Sequence, residues 1–316
     1  MSKKPNITVI VPVMNEEESI PLFLSEFFLR TDTVAADFDF LFIDDGSTDG
    51  TIKVLQAAHV RDARVNFIKL SRNFGKEAAM TAGIDHVTTD AAIIMDVDLQ
   101  DPPEIISEMV RLWQAGYDTV FGMRVSRLED TRAKRVTAQM FYKLFNASSH
   151  INIPNDVGDF RLISRRVIDA LKLLPERNRF MKGLFAWPGY SSVGVPYERP
   201  ARTVGSTKFN FWKLWNFALD GITSFSTWPL RIWTYVGATV AAISLLYMVF
   251  IIMKTIIFGA DWPGYASIMS AILFLGSLQL ISVGILGEYI GRMYIETKKR
   301  PTYVIDSKSF SETKDV

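Results

Sequence analysis

Two stretches without a charged side chain, Ile232 to Met253 and Ala266 to Gly287, limit what this 316-residue chain can fold into. Each exceeds the ~20 residues that an α-helix needs to cross a hydrocarbon core. Only Lys254 to Tyr265 joins them, which predicts a helical hairpin with Lys254 placed to reach the interface. Two buried core helices are the alternative, but they would need a second large soluble domain to cover them. Arg231 precedes the first stretch, while Arg292, Lys298, Lys299 and Arg300 follow the second. The positive-inside rule then puts both outer ends, and the large segment before them, in the cytoplasm. Upstream, Phe209, Trp212, Trp215, Leu219 and Ile222 share one side of a helical pattern, with Lys208, Lys213, Asn216 and Asp220 on the others. An aromatic-rich amphipathic helix at that point reads as interfacial, although a core-facing helix shows the same pattern.

Composition removes several classes of function. Lys+Arg 35 against Asp+Glu 34 leaves a net charge of +1, so no global charge favours nucleic acid. The absence of cysteine excludes disulfides, thiolate zinc sites and cysteine nucleophiles, and three scattered histidines (His59, His86, His150) argue against an imidazole metal site. The polar, lysine-bearing start leads straight to strand-like residues at Ile7, so no signal peptide is expected.

Before the hairpin the pattern alternates. Ile7 to Pro12, Phe38 to Ile43, Val65 to Leu70, Ala91 to Met95 and Thr119 to Gly122 read as strands. Helical patterns separate the first four, beginning near Asn15 to Glu18 (an acidic first turn), near Thr51 and after Lys76, and Pro102-Pro103 fits the first turn of another. Strand, loop, helix in repetition predicts a doubly wound, mostly parallel α/β sheet. Right-handed crossovers gather the loops after the strands along one rim, bringing together Asn15, Asp44, Asp45, Lys76, Asp96 and Asp98. Further on, Asp156 to Leu162 places Asp159 between Gly158 and an expected strand. Arg124, Arg127, Arg132, Lys134 and Arg135 form a basic cluster.

The rim has the parts for a nucleotide diphosphate. Asp96 and Asp98, one residue apart, with Gln100 beside them offer oxygen donors suited to Mg²⁺ or Mn²⁺; two solvated loop aspartates are the alternative. Gly75-Lys76 at a helix start offers backbone N–H groups and an ammonium to phosphate oxygens. It is not a Walker A loop, because no Ser or Thr follows the lysine, and no Gly-x-Gly-x-x-Gly follows the first strand. Asp44 and Asp45 can accept hydrogen bonds from a base or ribose, or can instead close an Asx-turn.

Val11-Pro12-Val13-Met14-Asn15-Glu16, Asp44 to Thr51, Asn73-Phe74-Gly75-Lys76 and Asp96 to Pro102 occur in an order that resembles the family 2 glycosyltransferases of GT-A fold, specifically the polyprenyl-phosphate glycosyltransferases. Val157 to Leu162, Pro175 to Asn178, Gly205 to Phe209 and Gly287 to Arg292 narrow the resemblance to the bactoprenol glucosyltransferases of O-antigen modification clusters, hairpin included. These are related to dolichyl-phosphate mannose synthases. The resemblance covers nearly the whole chain.

It implies UDP-glucose as donor and undecaprenyl phosphate as acceptor, at the cytoplasmic face of a bacterial inner membrane. GDP-mannose, UDP-GlcNAc, UDP-galactose and UDP-aminoarabinose are alternative donors, and a non-catalytic nucleotide-binding membrane subunit is an alternative role. By the resemblance, Asp96, Asp98 and Gln100 hold the divalent cation. Pro12, Val13, Asn15, Glu16, Asp44, Asp45, Gly75, Lys76, Asp96, Val97 and Asp98 line the nucleotide sugar. Arg124, Arg135 and Lys208 grip the acceptor phosphate. Asp159 matches the position called the catalytic aspartate, either as a base or as an orienting group, and Asp98 and Arg124 join it as residues essential to transfer. No Gln-x-x-Arg-Trp motif is found, so a single transfer per acceptor is expected.

The implied layout is a cytoplasmic catalytic domain over 1–207, an interfacial helix over 208–230 and a hairpin over 231–290, with spans near 232–257 and 266–288. A cytoplasmic tail over 291–316 completes it, read as frayed from Ser307. Association into a homo-oligomer such as a tetramer is expected, as is handover of the product to a flippase and a second glycosyltransferase. A transporter would want polar groups within the spans, and Ser244, Ser270, Ser277, Gln279 and Ser282 with a few threonines are all there is.

Overall fold

The computed structural model describes residues 4–124, 157–177, 179–198, 228–258 and 264–310. The amphipathic pattern from Lys208 to Ile222, Arg135 and the rest of the basic cluster beyond Arg124 lie outside them.

Eight strands form one sheet in the order β7-β5-β6-β4-β1-β2-β3-β8. β1 (Asn6–Val13), β2 (Asp37–Asp44), β3 (Val65–Leu70) and β4 (Ala91–Ile94) are the parallel part, with β1 between β2 and β4. Residues Ile7, Val9, Ile10 and Val11 are all completely buried, so the strand is covered on both faces, as its continuous apolar run requires. On one face α1 (Ser19–Thr31) sets Phe23 and Phe27 against Phe38, Phe40 and Phe42, with Phe27 and Phe40 edge to face at 4.9 Å. Such pairs contribute about 0.5–1.5 kcal/mol beyond simple burial. On the other face α3 (Lys76–His86), α5 (Arg165–Lys172) and α6 (Met181–Ala186) cover Ile10, Ile43, Ile68 and Ile94. The helix α2 (Thr51–Arg61) follows β2, and Pro103 opens a short 3₁₀ turn that leads into α4 (Ile106–Gln114).

The structure corrects three readings. The helix after β1 begins at Ser19, so Glu16, Glu17 and Glu18 precede it and no acidic residue sits in its first turn. Asn15 takes a left-handed φ of 55°, and the acidic run is spent on the loop: Glu17 accepts a hydrogen bond from the Gly50 N–H at 2.8 Å. Second, Asp159 does not precede a strand but belongs to one, β6 (Val157–Ser164). That strand runs antiparallel between β4 and β5 (Thr119–Arg124), and β7 (Ser192–Tyr197) pairs parallel to β5. Third, the C-terminal segment is ordered past Ser307: β8 (Ile305–Lys308) adds antiparallel to β3. The Phe67 N–H donates to Ser309 Oγ, and the Tyr303 hydroxyl donates to Asp85. The open edge of β3 supplies backbone partners that its polar composition could not announce.

The hairpin helices are α7 (Trp228–Phe258) and α8 (Tyr265–Thr297). Ile232–Phe258 and Ala271–Thr297 are each long and apolar enough to cross a membrane, and neither is buried among the described residues. Leu245, Phe250, Ile272 and Leu280 stand exposed, the reverse of Phe40 or Phe42 in the sheet. Core helices are therefore the poorer account, since no domain among the described residues covers them. The second helix runs unbroken past the expected end at 288 to Thr297, with Glu288 and Arg292 paired at 2.8 Å.

Candidate active site

Loops after β1, β2, β3 and β4 meet at one rim, as the parallel order dictates. The loop after β2 is pinned to its neighbours on both sides. Asn15 Oδ1 accepts from the Thr48 N–H at 2.8 Å, and the Asn15 N–H donates to Ser47 Oγ. Asp45 accepts from the Phe74 N–H at 2.7 Å and the Gly75 N–H at 2.9 Å. Burial pushes the Asp45 carboxyl up, and these two amides pull against that rise. Gly46, at φ 72°, lies so close to the loop after β3 that a Cβ would sit 2.5 Å from the Arg72 carbonyl carbon.

These bonds decide between the alternatives for the two aspartates. Asp45 is bonded to the neighbouring loop through the Phe74 and Gly75 N–H groups. Asp44 closes an Asx-turn with Oδ1, accepting from the Ser47 N–H at 2.9 Å, but its Oδ2 is buried with no hydrogen-bond partner among the described residues. An orphan buried carboxylate oxygen is rare in a folded protein and calls for a donor from outside the chain. Val13 and Val97 turn their side chains into the core, leaving only main chain at the rim, and Pro12 is half-buried. Glu16 accepts from the Ser19 hydroxyl at 2.7 Å.

Charges gather on the other flank. Ile94, the last residue of β4, is opposite Arg161 on β6, and Asp96 and Asp159 lie two residues beyond that pair, close enough for one ammonium to reach both. Two carboxylates so placed repel. The Lys76 ammonium lies between them, 2.7 Å from Asp96 and 2.7 Å from Asp159. Burial works against the charge on each partner, yet the pairing prevails: Lys76 is held above the ordinary lysine range and Asp159 well below the ordinary carboxylate range. Lys182 and Arg161 add to the field at Asp159. Asp98 Oδ1 accepts from the Gln100 N–H at 3.1 Å, and Leu99 adopts a φ of 57°, so Asp96 to Gln100 form a turn rather than an extended strand end.

Next to this bridge, Arg124 ends β5 and lies in register with Tyr197, the last residue of β7. The Tyr197 hydroxyl donates to Asp101 at 2.9 Å and accepts from Arg124 Nε at 3.3 Å. Gly122 makes this possible, because a Cβ there would lie 2.7 Å from the Tyr197 ring. Burial and the charge of Asp96 raise Asp101 to about 6, and burial and Asp101 raise Tyr197 to about 12. Glu77, pushed up to about 7 by burial and by Asp159, accepts from the Met181 N–H at 3.0 Å.

Thus Asn15, Asp44, Asp45, Lys76, Asp96, Asp98, Arg124 and Asp159 share one rim, while Arg135 and Lys208 lie outside the described residues. Sequence reasoning passed over Tyr197, Asp101 and Glu77. Tyr197 is the hardest to find from sequence, because its strand follows β5 by many residues and carries no motif.

Residues 8–172 match the profile described as Glycosyl transferase family 2, and residues 228–293 match the GtrB C-terminal hairpin. The chain is 52% identical to the prophage bactoprenol glucosyl transferase homolog of Escherichia coli (strain K12), over 95% of this chain and 98% of that one. It is 52% identical to the bactoprenol glucosyl transferase of Shigella phage SfX, over 96% of this chain and 99% of the relative. A solved mannosyltransferase, PcManGT from Pyrobaculum calidifontis, is a more distant likeness: 15% identity and a TM-score of 0.48, over 94% of this chain and 87% of that one. The rim of a GT-A-like sheet, the hairpin behind it and the near full-length identity agree: this chain belongs to glycosyl transferase family 2, in the group of the bactoprenol glucosyl transferases, and is a membrane-associated glycosyltransferase.

Proposed function

We propose that the protein transfers one glucose from UDP-glucose to a polyprenyl phosphate, undecaprenyl phosphate in a bacterial inner membrane, with inversion at the sugar. The observation that carries this reading is the pairing of a nucleotide-compatible rim with Arg124, braced by Tyr197 and Asp101 beside the Asp96–Lys76–Asp159 bridge. The names of the relatives support glucose and bactoprenol.

A phosphate monoester has a second pKa near ~6, so the acceptor arrives already ionised and needs no strong base. Asp159, held deep in its charged form, is suited to orient Lys76 rather than to take a proton. The difficulty is to bring an anionic acceptor up to an anionic donor. Arg124 answers it on the acceptor side, and Arg135 and Lys208 are assigned the same task. On the donor side Asp44 Oδ2 awaits a base N–H or ribose hydroxyl, with Pro12, Val13, Asn15, Glu16, Asp45, Gly75 and Val97 framing the nucleotide.

The residues fit a divalent ion, Mg²⁺ or Mn²⁺. Asp96, Asp98 and Gln100 supply hard oxygen-type donors from one turn, while no three acidic or imidazole side chains converge among the described residues. That is the donor count of an ion shared with phosphates and water rather than one caged by protein. When bound, the ion would neutralise charge on the departing diphosphate.

The assignment extends to the layout: residues 1–207 catalytic and cytoplasmic, 208–230 interfacial, 231–290 spanning and 291–316 returned to the cytoplasm. Lys298, Lys299 and Arg300 after α8 favour that orientation. A homo-oligomer such as a tetramer, and handover to a flippase and a second glycosyltransferase, complete the proposal. The test is a panel of nucleotide sugars with undecaprenyl phosphate, with and without EDTA. UDP-glucose is expected to be turned over fastest and EDTA to stop it; undiminished turnover in EDTA would sink the ligand assignment, and a faster second sugar would replace glucose.

A further inference from the structure

Between the sheet and the base of the hairpin lies a cavity of about 300 Å³, lined by Arg72 and Phe74 after β3, Arg177 after α5, and Tyr294, Lys298 and Arg300 at the end of α8. Four of the nine lining residues are cationic. None of the four cationic groups makes a side-chain ion pair among the described residues, although the charge of Arg72 is felt at Asp45 and Glu296 lies beside Arg177; aromatic rings and carbonyls hold them instead. Arg72 stacks on the Phe74 ring at 3.9 Å, and Lys298 lies over Tyr294 at 4.0 Å. Arg177 donates to the carbonyls of Arg300 at 2.9 Å and Lys299 at 3.3 Å, while its backbone N–H donates to Glu296. Lys299 itself, in the left-handed conformation at φ 50° that ends the helix, does not line the cavity.

Four cations with no carboxylate in ion-pair contact repel one another, and a concave site makes the cost recoverable by an anion. The height of the site selects which anion. The candidate span in α8, Ala271–Thr297, ends directly before Lys298, and its last turns already carry Glu288, Arg292 and Glu296, so the cavity opens on the headgroup side of the apolar stretch. Tyr294 is the aromatic residue expected at that level. Basic pockets at this boundary bind anionic lipid headgroups. We propose that Arg72, Arg177, Lys298 and Arg300 form a site for the phosphodiester headgroup of an anionic phospholipid, separate from the donor and acceptor groups at the rim. The site is built partly from the loop that leads two residues later to Lys76, and the Phe74 N–H is bonded to Asp45. A bound headgroup would therefore steady the lysine that bridges Asp96 and Asp159.

This inference rests on the membrane-spanning part of the proposed function. The test uses the full chain in mild detergent, titrated with phosphatidylglycerol or phosphatidylcholine and read by native mass spectrometry. Wild type is expected to retain phosphatidylglycerol in preference to phosphatidylcholine. Lys298→Gln and Arg300→Gln should each weaken that binding about fivefold, the effect of one cation near a headgroup, and Lys299→Gln should leave it nearly unchanged. Equal retention of the two lipids by wild type, or equal losses in all three variants, would overturn the site in favour of diffuse surface attraction. Displacement of the lipid by low-millimolar inorganic phosphate would overturn it in favour of a free-phosphate site. Glucosyl transfer, assayed separately in phosphatidylcholine nanodiscs, keeps the two readings apart. Its absence there would break the proposed function, while phosphatidylglycerol retention would still report on the cavity.

Discussion

The two flanks of the rim are built on different principles. On the side of β1, β2 and β3, polar side chains bond to backbone: Asn15 to Thr48, Asp44 to Ser47, Asp45 to Phe74 and Gly75. On the side of β4 to β7, charged side chains bond to each other: Lys76 to Asp96 and Asp159, and Arg124 to Asp101 through Tyr197. The first arrangement fixes a shape before any ligand arrives. The second stores charge that a phosphate or a metal ion can rearrange. A rigid frame on one flank and an adjustable field on the other is the division of labour that the proposed transfer between two anions would use.

Substitution can break this contrast, most strongly on the charged flank. Asp98→Ala is expected to lower transfer about 10³-fold or more by removing a ligand of the divalent ion. Activity within tenfold of wild type at saturating metal would remove Asp98 from the ligand set. Arg124→Ala should cost a similar factor, concentrated in the acceptor; full turnover at low lipid concentration would overturn its assignment. Tyr197→Phe, which deletes only the hydroxyl linking Asp101 to Arg124, should raise the acceptor KM about tenfold, the worth of one hydrogen bond to a charged group. The donor KM should not move, and a matching rise in it would point to a general loss of structure.

On the backbone-bonded flank the effect should appear in stability. Asp45→Ala leaves the Phe74 and Gly75 N–H groups without their acceptor and should destabilise the fold by about 2 kcal/mol. Chemical denaturation measures it, and an unchanged midpoint would mean that other acceptors take over.

Glu77 gives the smallest and most specific signal. Its ordinary value is 4.5, and in the fold it is about 7. Below pH 4.5 both folded and unfolded chains carry the proton. Between 4.5 and 7 the unfolded chain releases it while the folded chain keeps it, so stability falls as pH rises and the loss is complete above 7. Glu77→Gln keeps an oxygen for the Met181 N–H and removes the titration, so the variant should gain on wild type between pH 5 and pH 8. A constant Tm difference across that window would show that Glu77 ionises freely.

Much of this was legible in advance where one local pattern carried the information. Continuous apolar runs located β1 to β4, and uncharged length located the hairpin, because burial and bilayer thickness act on consecutive residues. Asp96 and Asp98 were visible as a pair for the same reason. What failed depended on partners distant in sequence. Glu16 to Glu18 read as a helix start, but the loop after β2 claimed Glu17. The tail from Ser307 read as frayed, but the edge of β3 holds Ser307 and Lys308 in β8.

The sequence alone, then, determined the elements: their period, their order, the membrane-competent length of two helices, and the acidic and basic groups at strand ends. Only the tertiary structure decided how those groups are spent. The antiparallel insertion of β6 brings Asp159 close to Asp96, and Lys76 bridges the two. The register of β5 with β7 gives Arg124 a tyrosine to brace it. Charge identity is a property of single residues, but charge environment depends on which strands lie side by side, and that is settled only when the sheet closes its order.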